Sequence, residues 1–282
     1  MSQASLLRDP YIYNIPAALV DAYQGRRVIV RSHDPAELAA ILAEKNLEDL
    51  DCLQLLSLTG DMGPLLLAGA SVPVDLVMSS PDSNYPQLYD LAPLLTRHPV
   101  RVTIPVVPGF TKAVRLASSL NFAVKLEVMQ PDPELVQETS EVLAYYLHRS
   151  TVSEPIEFFH SILMAFIEEE PLNLWTIQEE DPAFYRYITD QGEETISPRF
   201  VAADVGQNPS FFLEPLINKL LVKEGECAAC EFFNACYGYF KWPHKEYACD
   251  GVKALLETLK HTAHELKQDI AAYHKASGKP HP

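Results

Sequence analysis

Four cysteines crowd one short stretch of the chain, Glu226–Asp250, ECAACEFFNACYGYFKWPHKEYACD. They are Cys227, Cys230, Cys236 and Cys249, in the pattern C-x2-C-x5-C-x12-C, and of the five cysteines in the sequence only Cys52 lies elsewhere. Two residues between the first pair let both sulfurs face one turn and grip one centre. The five-residue gap brings a third thiol from the same loop, and Cys249 closes the set. Four thiolates around one centre suit Zn²⁺ or an iron–sulfur cluster. Paired disulfides are the plainer alternative. Met1–Pro16 lacks the basic segment and apolar run of a secretory signal, so a reducing cytoplasm is expected, where structural disulfides are rare. Zinc ribbons commonly use two short knuckles, and here only Cys227 and Cys230 form one. A [4Fe–4S] cluster tolerates wider, less regular spacing.

Cys227-x2-Cys230-x5-Cys236 followed by Cys249, with Gly238 two residues after the third cysteine, resembles a SPASM domain. That is the C-terminal extension of radical SAM enzymes that mature peptides and proteins. The resemblance implies that these four cysteines hold one [4Fe–4S] cluster. Phe240 stands where the family usually has a further cysteine, and no upstream cysteines exist for a second auxiliary cluster. Radical SAM chemistry itself needs C-x3-C-x2-C after the first barrel strand, and with only Cys52 outside the C-terminal stretch that site cannot be built.

The chain thus resembles a pseudo-radical-SAM member. The fold this implies is α/β: a partial (β/α)6 radical-SAM-like barrel over residues 1–200, then a small Cys-rich SPASM-like domain with a C-terminal helix over 201–282. The implied role is that of an accessory iron–sulfur protein, bound to a radical SAM maturase or its precursor peptide and relaying electrons through the cluster. No catalytic residue is assigned. Two other readings stand beside it: a non-radical enzyme using the barrel mouth, and a zinc-stabilised peptide-binding scaffold.

The elements that must position the cysteines read as follows. The 282 residues suit one large and one small domain, with 48% apolar and 21% charged residues as in globular proteins. A net charge of −16 argues against a nucleic-acid partner, which wants a basic face, and no apolar run reaches membrane-spanning length. Strands are expected at Val28–Arg31, Asp51–Leu58, Val72–Met78, Val100–Val107 and Phe122–Met129, with a sixth at Leu172–Ile177. Helices are expected at Pro35–Lys45, from Gly109 through Leu120, from Pro133 to Leu147, at Glu154–Glu169, Asn208–Leu221 and Gly251–Lys275. Such alternation predicts βαβ units on a buried parallel sheet; the barrel comes from the resemblance.

Function in α/β proteins gathers at the carboxyl ends of the strands. Those ends carry Ser32, His33 and Asp34; Ser57, Thr59 and Asp61; Ser79, Ser80 and Asp82; Gln130 and Asp132. His33 with Asp34 could form an acid–base pair, but an N-cap beside an exposed histidine is the simpler expectation. Cys52 is expected in the core. Glu157, His160, His261 and His264 are expected to pack or face solvent, and Glu179-Glu180-Asp181 to be solvated. Asp181–Phe200 suggests a hairpin or an aromatic connection to the C-terminal part. The tail from Ser277 to Pro282 is expected to be disordered.

Overall fold

A computed structural model describes residues 9–44, 47–69, 71–201, 209–221 and 225–277. Lys45, Asn208 and the tail beyond Ser277, each named in a sequence expectation, lie outside them.

The strands are short, β-branched and broken by Pro, Gly or Asp. They are β1 Ile12–Pro16, β2 Arg27–Ser32, β3 Leu50–Leu55, β4 Val74–Val77, β5 Val100–Pro105, β6 Ala123–Glu127, β7 Ile156–Glu157, β8 Tyr185–Ile188 and β9 Glu194–Thr195. They form one nine-stranded sheet in the order β7-β6-β5-β4-β3-β2-β1-β8-β9. Every pairing is parallel except the β8–β9 hairpin. From β1 to β7 the order never reverses. Right-handed crossovers that always step in one direction lay their helices on one face. Accordingly the Pro35–Glu44 helix packs on β2 and β3, and the Phe110–Ser119 helix on β5 and β6.

That face is the apolar one. Val30, Leu53, Leu55, Val74, Leu76, Val102, Ile104, Val124 and Leu126 are fully or almost fully buried on it. Residues between them point the opposite way, because side chains alternate along a strand. The alternating set is polar: Asn14, Arg31, Gln54, Asp75, Arg101, Thr103 and Lys125 stand in adjoining registers across β1 to β6.

The five expected inner strands are present, β2 one residue longer at each end than expected and β3 to β6 shorter. The sixth is not: Leu174–Ile177 is a short helix, capped by the Asn173 side chain accepting from the Trp175 N–H. The edge strand is instead β7, two residues inside the stretch expected to begin a helix, which starts only at Phe159. β1 carries no expectation at all. After β7 the chain crosses to the far side of the sheet, where β8 joins β1. The Gln178–Asp181 strap makes that crossing over the polar face, so Asp181–Phe200 contributes two strands as well as a connection.

The C-terminal helix Asp250–Ser277 packs on the Phe159–Glu168 and Pro133–His148 helices. Val252, Leu255, Leu256, Leu259 and Ala263 form its buried stripe. Its approach is close: a Cβ at Gly251 would sit 2.8 Å from Val136 Cγ1. Among the described residues, no helix is long and apolar enough to cross a membrane.

Candidate metal centre and the polar face of the sheet

The cysteine segment hangs from the carboxyl end of β6. Gln130, just past β6, donates both amide hydrogens to main-chain carbonyls, Phe240 O at 2.9 Å and His244 O at 2.8 Å. Tyr247 donates its hydroxyl to Pro131 O at 2.7 Å, and Trp175 Nε1 donates to Tyr237 O at 3.1 Å. The surrounding rings interlock. Trp175 lies edge-on to Tyr239 at 5.0 Å, and Phe200 stacks on Trp242 at 5.2 Å and 5°. These rings therefore form a shared core between sheet and segment.

Within it the chain turns sharply. Cys227 sits in a 3-10 turn, Glu226–Ala229, and Cys230 ends it. Cys236 closes the short Phe233–Cys236 helix, after which Tyr237 and Gly238 adopt left-handed φ of 47° and 75°. Cys249 precedes the C-terminal helix, and its carbonyl accepts the Lys253 N–H. All four cysteines line one cavity, walled by Phe232, Phe233, Phe240, Val252 and Leu256. None of the five cysteines is in a disulfide. Among the described residues, no three His, Cys, Asp or Glu side chains converge as one metal ion would require.

Burial pushes the Cys236 thiol up to about 11, against backbone N–H groups of Phe240, Gly238 and Tyr239 directed at its sulfur. Burial likewise pushes Cys249 up to about 12 and raises Cys227, each opposed by the Lys241 ammonium. Lys241 is buried and donates to Glu226 and to Tyr247 O, and Lys253 grips the other Glu226 oxygen. Soft donors, N–H groups aimed at sulfur, a ring-lined wall and an adjacent cation are what a thiolate-bound cluster requires of its surroundings. The residues present fit the group.

A second polar centre lies on the sheet. Arg101 pairs with Asp75 and Glu179, each at 2.8 Å, and Lys125 with Glu179 at 2.6 Å. Thr103 donates to Asp75 at 2.6 Å, and Gln54 bridges Asn14 and Asp75. Burial disfavours the Glu179 charge, but Lys125 and Arg101 outweigh it and hold the carboxyl down to about 2. Arg31 is spent on Asn14, Ile188 O and Asp190. Arg199 rests 4.5 Å above the Tyr239 ring, 2.6 Å from Glu180 Oε2 in an ion pair that lacks hydrogen-bond alignment.

Glu179-Glu180-Asp181 is thus not a solvated acidic run. Glu180 and Asp181 are buried, and Glu179 crosses the sheet to two cations. Cys52 is half-buried on this polar face rather than in the apolar core. The polar centre was open to sequence reading. Its residues alternate with apolar ones in VDLV, VRVTIP and AVKLE, whereas a strand covered on both faces is apolar throughout.

The strand-end residues mostly serve local structure. Ser32 donates to Glu37 and accepts from the Asp34 N–H, Asp34 accepts from the Ala36 N–H at 2.9 Å, and His33 is exposed. Asp132 caps the Pro133–His148 helix through the Leu135 N–H at 2.9 Å. Asp61 accepts from the Gly63 N–H, while Ser57 and Thr59 bond each other. Glu157 accepts from Ser161, His160 bonds Tyr146, His261 pairs with Glu265, and His264 bonds Gln268.

No protein-family model, curated protein or solved structure gives a significant match to this chain.

Proposed function

We propose that this chain is an accessory iron–sulfur protein of pseudo-radical-SAM type. Cys227, Cys230, Cys236 and Cys249 would hold one [4Fe–4S] cluster, and the chain would serve a radical SAM maturase or its precursor peptide. The observation that carries this reading is the single cavity lined by all four thiols. A cluster takes thiolates at spread corners, whereas zinc gathers its ligands about 2.3 Å from one point. One short knuckle, Cys227 and Cys230, with Cys236 and Cys249 more widely spaced along the sequence, favours the cluster over the zinc scaffold. The one-directional order of β1 to β7 supports a partial-barrel ancestry. With one cysteine outside the segment, a SAM-binding cluster has no ligands.

When bound, the cluster would supply one-electron transfer. The chain's part is to hold it with four thiolates and to keep water off with Phe232, Phe233 and Phe240. Lys241, beside Cys249 and Cys227, would offset the added negative charge of the reduced state.

The test is anaerobic purification with iron, sulfide and zinc analysis and an absorption spectrum. About four irons and four sulfides per chain, with a band near ~400 nm lost in Cys227→Ala and Cys249→Ala, are expected. A colourless protein with one zinc per chain would leave the peptide-binding scaffold in its place.

A further inference from the structure

On the polar face, between the sheet and the Gln178–Asp181 strap, lies a cavity of about 120 Å³ that touches six of the nine strands. Drug-sized ligands occupy roughly 300–1,000 Å³. This space admits only the end of a side chain or a small molecule.

Its charges are already committed, with one exception. Arg31, Arg101, Lys125 and Arg186 are each paired, as are Asp75, Glu179 and Glu180. Glu127, at the carboxyl end of β6, faces the cavity half-buried, and its carboxylate has no hydrogen bond or ion pair among the described residues. Burial pushes this carboxyl above the usual range; Lys125 opposes that, while Asp75, Glu180 and Glu179 add to it. Lys125 and Arg101 answer Glu179, Arg31 answers Asp190, Arg186 answers Glu194 and Arg199 answers Glu180, which leaves Glu127 as the cavity's unpaired charge among the described residues. A phosphate or carboxylate ligand would meet no free cation here. The rest of the lining is mixed, and Ile29, Leu56, Val77, Ile196 and Pro198 give it an apolar wall.

We infer that this cavity is a binding site for an alkylammonium group, its stem against the apolar wall and its –NH₃⁺ on Glu127. The group is either a free primary amine or a lysine side chain presented by a peptide. Site and cluster are separate, so the inference does not depend on the cysteines.

The full-length chain would be titrated calorimetrically with N-acetyl-lysine methylamide, with n-butylammonium, and with N-acetyl-norleucine methylamide, which keeps the stem and lacks the charge. Both ammonium probes should bind, and norleucine should bind at least about tenfold more weakly, the range set by one charged hydrogen bond. Glu127→Gln should remove that preference. Equal affinity of the two probes marks a free amine as the ligand, and tighter binding of the lysine derivative marks a peptide. In the wild-type protein the Glu127 side-chain carboxyl ¹³C resonance should move on adding either ammonium probe, an observation that needs no variant to fold. Norleucine binding as tightly as lysine, unaltered lysine binding by a folded Glu127→Gln protein, or no binding of ammonium probes at millimolar concentration would each overturn the inference.

Discussion

Lys125 Nζ donates to Glu179 Oε2 at 2.6 Å, joining β6 to the strap that crosses above it. Arg101 holds the other oxygen at 2.8 Å. Glu179 accepts this position with a left-handed φ of 59°, an uncommon conformation for a residue with a side chain. Paired buried charges contribute little net energy, but removing one partner leaves the others uncompensated.

Glu179→Gln should therefore lower stability near neutral pH by about 2–4 kcal/mol, measured by denaturant unfolding. The carboxyl is held down to about 2, below its unfolded range near ~4.3. A depressed carboxylate adds stability that is present above the unfolded value and lost as pH falls through the folded one. The wild-type melting temperature should thus fall from about pH 5 towards pH 2, and less steeply in Glu179→Gln. Parallel profiles would remove Glu179 as the source.

Lys241 is buried, and the charges of Cys249 and Cys227 both act on it. Lys241→Met should leave iron content intact and lower the cluster's midpoint potential by tens of millivolts, read by redox titration. An unchanged potential would assign the lysine a purely structural part, holding Glu226 and Tyr247.

Gly238 combines a φ of 75° with a neighbour 2.4 Å from where a Cβ would stand, Leu220 Cδ1. Gly238→Ala should destabilise by about 1–2 kcal/mol, the left-handed backbone and the collision both contributing. Adding Leu220→Ala relieves the collision alone, so a double variant fully restored relative to Leu220→Ala would contradict the backbone contribution.

Gln130 spans two carbonyls of the cysteine segment. Gln130→Ala frees both, and hydrogen exchange across residues 240–247 should accelerate by about tenfold while the sheet stays protected. Acceleration spread evenly over the chain would mean that the clamp supports global rather than local stability.

How much could be read beforehand differs by element. β2 to β6 were legible because each carries closely spaced apolar residues with a turn signal after it. β7 was hidden by length, since two residues give no period. Leu172–Ile177 has strand composition, yet Asn173 caps it as a helix, a local bond that outweighs propensity. The cysteine spacing announced a shared centre. What it could not announce was Glu127, whose exceptional status depends on every neighbouring charge having found a partner through contacts up to 159 residues apart. The strap's acidic run has the same explanation: three acids in sequence read as surface until Arg101 and Lys125 are seen opposite.

β1 pairs with β2 on one side and with β8 on the other, the second partner more than 170 residues later. On a ribosome the first strand made is half a sheet interior with its outer edge open until Ile188 emerges. Consecutive strands β2 to β6 can assemble in step with translation, but an unpaired edge with Ile12 and Asn14 persists through most of synthesis. Until then it invites pairing with another nascent chain, so a truncation that stops short of residue 185 should yield aggregation-prone protein even with the seven parallel strands β1 to β7 intact.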